Sequence, residues 1–317
     1  MRISTIISLV SALLLLLLCS CPGPNNTYQK GTFPDTATSL SGANSEYDDF
    51  NSMTPPGIVD YIFPLFFSSN RSTLGGTFDI ENYKVDIQLN ESSGAVTLRA
   101  YASADSNPWQ NMNSASNEFG PYYITDSYGI ITLYMFASDR NGNLDIFHGW
   151  PGMVHESIAL NSGSDDAYPS LGPNNTFYFS SNRNGNFHIF SATVPSGQAL
   201  ENFLQTPGAT IVSVDAVNST GDDKAPYVNG NLMVFASNRS GGHGGYDLYY
   251  SIYGSGGWSQ PVNFGPRINT SSDEFRPVVV VSDGALFTNN LMIFSSNRPG
   301  GMGGFDLYYV GISKSLQ

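Results

Sequence analysis

Hydrophobic and polar positions alternate along this chain in short bursts. From residue 61 onward, runs rich in Phe, Tyr, Val and Ile are separated by clusters of Gly, Asn, Asp and Ser. Short β-strands joined by tight turns write this pattern. A first set comprises Tyr61–Ser69, Thr77–Leu89 and Ala95–Ala102, with Val85, Ile87 and Leu89 sharing a face. A second comprises Phe119–Ile124, Ile131–Ser138, Leu144–Gly149 and Met153–Leu160, and a third Thr176–Ser181, Phe187–Ala192 and Ala209–Val217. Leu232–Ser237, Tyr246–Tyr253 and a tail with Trp258 and Val262 make the fourth, and Arg276–Val281, Leu291–Ser296 and Phe305–Ile312 the fifth. Asp48–Pro56 reads as a turn, and Pro195–Gln205 alone reads as a helical turn.

Each set carries a Phe-[Ser/Ala]-Ser-[Asn/Asp]-Arg signature. The arginines are Arg71, Arg140, Arg183, Arg239 and Arg298, at intervals of 69, 43, 56 and 59 residues. Repeats of this size, with four strands and aromatic and glycine punctuation, are blades of a β-propeller. The expected fold is therefore all-β, a five-bladed propeller of four-stranded antiparallel blades. The fifth repeat stops one strand short, so a strand within Thr27–Leu40 is expected to close the ring.

Composition narrows the functional classes. The net charge is -13, yet only 12% of residues are charged. The arginines are scattered, without the basic stripe that nucleic acid requires, so no nucleic-acid partner is expected. The first twenty residues have a positive end at Arg2 and an apolar run from Ile6 to Leu18, too short for an ordinary membrane span. Leu18-Cys19-Ser20-Cys21 resembles a bacterial lipoprotein signal, with Cys21 better placed than Cys19 because a small residue precedes it. The expected organisation is a signal peptide over 1–20, a tether over 21–26 and the propeller over 27–317. Acyl chains such as palmitate on Cys21 would hold the propeller at a lipid bilayer, expected to be the outer membrane, facing the periplasm or the cell exterior. With Cys21 lipidated and Cys19 removed, no thiol remains for a disulfide or a thiolate metal site.

The fifth repeat reads Pro277 to Tyr308 with Ser282-Asp283-Gly284, Phe294-Ser295-Ser296-Asn297-Arg298 and Asp306-Leu307-Tyr308. The fourth repeats it from Leu232 to Tyr249, with Asn229-Gly230 in place of Asp-Gly. This resembles the TolB-like propeller repeat of bacterial envelope proteins, P-x-x-S-x-D-G-x-x-L-x-F-x-S-N-R-x-G-G-x-G-x-x-D-L-Y. Repeats 1 to 3 keep less of it, and His188 stands where the motif has aspartate. The resemblance implies a propeller that binds or scaffolds. Some relatives carry further domains that bind peptidoglycan or join outer-membrane complexes.

Strand polarity puts the arginine loops on one face with the polar pairs that precede each inner strand. Those pairs are Asn117-Glu118, Asp165-Asp166, Asp222-Asp223 and Asp273-Glu274. The arginine forks are expected to bond acids or carbonyls within or beside their own blades, with Glu118, Asp165, Asp222 and Asp273 as the motif-face acids. The competing reading is a ligand site where the loops converge. Asp139, Asn141, Asn143 and Asp145 alternate as oxygen ligands do in a calcium loop, but glycine is misplaced and no glutamate follows at the twelfth position. Calcium is the one cofactor that this spacing suggests. No nucleophile elbow, phosphate loop or histidine metal spacing occurs, so catalysis is not expected. Departures from the repeat point to recognition instead, at Trp109, His148 and Trp150. The leading expectation is a module that engages another envelope protein. The alternatives are a binder of carbohydrate or peptidoglycan fragments and a glycan hydrolase with paired carboxylates.

Overall fold

The computed structural model describes residues 28–58 and 60–316. The signal peptide, the tether and Cys21 lie outside the described residues. Five antiparallel sheets form a five-bladed propeller. The chain enters through β1 (Thr38–Ser39) and then builds blade 1 from β2 (Asp49–Met53), β3 (Ile62–Ser69), β4 (Asp79–Leu89) and β5 (Val96–Ala102). Blade 2 is β6 (Glu118–Thr125), β7 (Ile131–Ser138), β8 (Asp145–Trp150) and β9 (Met153–Glu156). Blade 3 is β10 (Asp166–Gly172), β11 (Thr176–Ser181), β12 (His188–Thr193) and the short β13 (Val212–Ser213), with the helical turn α1 (Leu200–Leu204) before β13. Blade 4 is β14 (Asp223–Asn229), β15 (Leu232–Ser237) and β16 (Asp247–Gly254), edged by β17 (Gly257–Trp258) and β18 (Val262–Asn263). Blade 5 is β19 (Glu274–Val280), β20 (Asn290–Ser296) and β21 (Asp306–Ile312). Its fourth strand is β1, whose Thr38 and Ser39 pair with Tyr309 and Tyr308. The ring thus closes with the expected N-terminal segment, though only two residues of it pair as a strand.

Burial explains the sequence pattern. The second strand of a blade has sheet on both edges and a neighbouring blade against each face. Accordingly β11, β15 and β20 are buried at every position, so they read as continuous apolar runs without alternation. The outer strand β5 alternates buried and exposed residues because its far face meets water.

One reading is corrected. Asp48–Pro56 is no mere turn, since Asp49–Met53 forms the innermost strand of blade 1. Its polar Asn51 and Ser52 imitate a turn in sequence, but both are fully buried in the strand. The residue two after the second acid bulges in all five innermost strands, with positive φ at Asn51, Gly120, Tyr168, Ala225 and Arg276. A proline follows in blades 2 to 5, at a bulge where the missing N–H breaks no ladder.

Candidate functional site

The connection into every blade reads Asn-[Ser/Thr]-x-x-[Asp/Asn]-[Asp/Glu], at 44–49, 113–118, 161–166, 218–223 and 269–274. Its asparagine accepts from the N–H of Leu307, Ile80, Ile146, Ile189 or Leu248, at 2.7–3.0 Å. The same side chain donates back to that residue's carbonyl. One amide thereby stands in for an outer-strand residue. The first member of the polar pair (Asp48, Asn117, Asp165, Asp222, Asp273) accepts from the preceding blade. Its donors are the N–H groups of Phe305, Phe78, Leu144, Phe187 and Tyr246, at 2.7–3.0 Å. The next backbone N–H returns a bond to each donor's carbonyl at 2.6–2.8 Å.

The second member meets the arginine of its own blade. The pairs are Arg71–Asp49, Arg140–Glu118 at 2.8 Å, Arg183–Asp166 at 2.6 Å, Arg239–Asp223 at 2.6 Å and Arg298–Glu274 at 3.0 Å. All five carboxylates are fully buried. Each also accepts from the N–H of a serine or threonine four residues earlier. Each guanidinium donates to a backbone carbonyl, of Ala43, Met112, Leu160, Val217 or Ile268. It lies 4.7–5.3 Å from the centroids of two aromatic rings of its blade. The forks therefore bind acid and carbonyl within their own blades.

The motif-face acids divide into two roles. Glu118 is an arginine partner, whereas Asp165, Asp222 and Asp273 hold the preceding blade and their successors Asp166, Asp223 and Glu274 take the arginines. Adjacent residues of a strand point to opposite faces, so the two members cannot share one partner. The sequence signal for these roles was the invariant offset of asparagine and serine or threonine ahead of each pair.

The calcium-like residues are spoken for separately. Both oxygens of Asp139 accept from Asn117, Asn141 donates to Glu156 at 2.8 Å, and Asn143 donates to the Ser164 carbonyl at 2.6 Å. Among the described residues no cluster of three or more His, Cys, Asp or Glu side chains could hold a metal ion. Of the aromatic and histidine candidates, Trp109 and His148 are fully enclosed and present nothing to a ligand. Trp109 packs edge-on against Phe66, Tyr134 and Phe136. His148 is held near pH 4 by burial and then by His155. Burial, with Glu156 and Asp166 nearby, raises Asp145 to about 6. Trp150 remains 37% exposed.

What the five connections assemble is a collar at the motif-face end of the central channel. The residue after each second acid supplies Phe50, Phe119, Ala167, Lys224 and Phe275. The residue before each third strand supplies Phe78, Leu144, Phe187, Tyr246 and Phe305. All but Ala167 are partly exposed. Phe50 contacts Phe78, Phe119 and Phe305 with centroids 4.9–5.8 Å apart, and Phe275 lies edge-on to Tyr168 and Tyr246. Lys224 is the cation of this collar, 4.0 Å from the Phe187 ring centroid and 3.6 Å from Asp222. Tyr246 donates its hydroxyl to Asp222 at 2.7 Å. At the opposite end, the β2–β3 loop crosses beneath the axis. The carbonyl of Pro56 accepts from Val281 N–H at 2.9 Å and Asn229 at 2.7 Å.

No family model and no curated protein matches the chain by sequence. Solved structures that resemble it include TolB from Acinetobacter baumannii, at 13% identity and TM-score 0.38, over 79% of this chain and 52% of that one. A glycosyl hydrolase from Bacteroides ovatus matches at 10% identity and TM-score 0.48, over 92% of each chain. A Penicillium chrysogenum α-L-arabinanase complexed with arabinobiose matches at 11% and 0.47, over 87% of this chain and 98% of that one. The chain spans about half the length of that TolB. The likeness in each case is one of propeller fold.

Replacing Arg239 by Met should cost about 3–5 kcal/mol, because the buried Asp223 loses its cation. Adding Asp223→Asn should recover most of that loss in denaturant unfolding. A single variant as stable as the parent would contradict it. His148 binds a proton in the unfolded chain near pH 6.5 but in the fold only near pH 4. Its contribution to stability therefore falls as pH drops from about 6.5 to about 4. Urea midpoints at both ends of that window should differ less in His148→Leu than in the parent.

Proposed function

We propose that the protein is a non-catalytic binding module of the cell envelope whose collar receives the sugar rings of a glycan or peptidoglycan fragment. The observation that carries this is the combination at the channel mouth. Seven partly exposed aromatic rings surround it, while the neighbouring acids are committed to arginines and backbone amides. Aromatic faces suit the C–H-rich faces of sugars, and the Lys224–Asp222–Tyr246 cluster offers both donors and acceptors to hydroxyls. Glycoside hydrolysis needs two carboxylates free to trade protons across the bond. Carboxylates already filled by guanidinium and N–H donors suit holding better than cleaving.

A second reading, engagement of another envelope protein, is favoured by the opposite face. There Tyr28, Tyr61, Ile62 and Leu286 are 40–67% exposed. Two adjoining depressions of about 360 and 270 Å³ share Tyr61 and Leu286. A lipid on Cys21 would lie seven residues before Tyr28, a reach of roughly 25 Å at full extension. That face would then be held toward the bilayer and the collar away from it. A Cys21→Ala chain that still partitions with membranes would remove this anchor.

Calorimetric titration with peptidoglycan fragments and neutral oligosaccharides tests the main reading. Phe119→Ala and Phe275→Ala should weaken binding at least tenfold, with Trp150→Ala unchanged. If no glycan binds and crosslinking in intact envelopes captures a protein through Tyr61 or Leu286, the second reading replaces the first.

A further inference from the structure

Arg276 differs from the five motif arginines. It occupies the bulge position of blade 5 with φ 46°, which turns its side chain onto the propeller axis, where it is fully buried. Its contacts come from blade 2 across the channel and from the neighbouring blade 4. One terminal nitrogen donates to the Pro121 carbonyl at 3.3 Å and the other to the Pro226 carbonyl at 3.5 Å, both long, and Nε has no partner. Among the described residues no carboxylate lies within ion-pair distance of it. The groups facing it are the phenols of Tyr168, Tyr227 and Tyr122. Burial raises the pKa of all three, so they stay neutral. The buried carboxylates of the motif each meet an arginine, whereas this guanidinium has the face of Tyr168, 5.5 Å from its ring centroid, and no anionic partner among the described residues.

A second sparsely bonded polar group shares the axis. Asn51 holds the equivalent bulge position in the adjacent blade and lies beside Tyr168. Beyond the Tyr168 hydroxyl, no atom of its amide has a hydrogen-bond partner. Arg276 Nε, the Asn51 amide nitrogen and the Tyr168 hydroxyl are donors, beside the Asn51 amide oxygen, which accepts. A cluster of donors around an uncompensated cation calls for an acceptor that carries negative charge. Space limits its size, since a Cβ on Gly120 would already stand 2.5 Å from the Tyr168 ring.

We propose that the propeller axis binds a monatomic anion of halide size, held by Arg276 with Asn51 beside it. The anion neutralises the buried guanidinium, whose pKa burial otherwise lowers to about 10, and links innermost strands that no side-chain ion pair joins.

Crystals grown in bromide should show an anomalous peak within hydrogen-bonding reach of Arg276 Nε. At constant ionic strength, the unfolding midpoint should be higher in sodium chloride or bromide than in sodium gluconate, and Arg276→Met should abolish that difference. Should the variant fail to fold, the bromide map of the parent decides alone. An axis holding only water overturns the proposal whatever the midpoints show, as does a midpoint difference undiminished in Arg276→Met.

Discussion

The architecture rests on one short polar step made five times, where two adjacent residues at the start of each innermost strand face opposite ways. One carboxylate turns into its own blade and holds an arginine. Its neighbour turns back and holds an N–H of the blade before. A buried ion pair adds little to stability by itself, because both ions leave water to form it. Its use here is geometric. The guanidinium, donating to the acid and to a backbone carbonyl, ties the second strand to the innermost one, while the first polar residue sets the spacing to the previous blade. With no disulfide among the described residues, this step ties strand to strand and blade to blade. It holds at the closure as well, where Asp48 receives Phe305 N–H at 2.7 Å.

That economy explains why the repeated residues lose interest as a ligand site. The arginines, asparagines and second acids of the repeat are bonded within their own blade or to the previous one. The residues left with free surface are the ones the step merely positions, namely the side chain after the second acid and the one before each third strand. Because they occupy fixed places in the repeat, they form a collar whatever their identity, and this chain fills most of those places with aromatic rings. At the axis Gly120 leaves room for Tyr168, because a Cβ there would stand 2.5 Å from the Tyr168 ring.

The repeat count, the strand order and the borrowed closing strand were legible in the chain because they follow from local periodicity and from a last repeat that ends early. The inner strand of blade 1 was not, since Asn51 and Ser52 carry turn chemistry into a buried strand. The acid pairs were visible, but which member meets the arginine depends on strand pleat. Trp109 and His148 departed from the repeat in a way that suggested recognition. Both departures fill the core instead, Trp109 against Phe66 and Tyr134 and His148 within β8.

By itself the amino-acid sequence determined the number of blades and the residues that build each one, because those follow from patterns within about sixty residues. Only the tertiary structure decided what meets at the axis. The collar, the buried guanidinium of Arg276 and the sparsely bonded amide of Asn51 are contributed by strands far apart in the chain. Their proximity arises from closing the ring, and no local spacing encodes it.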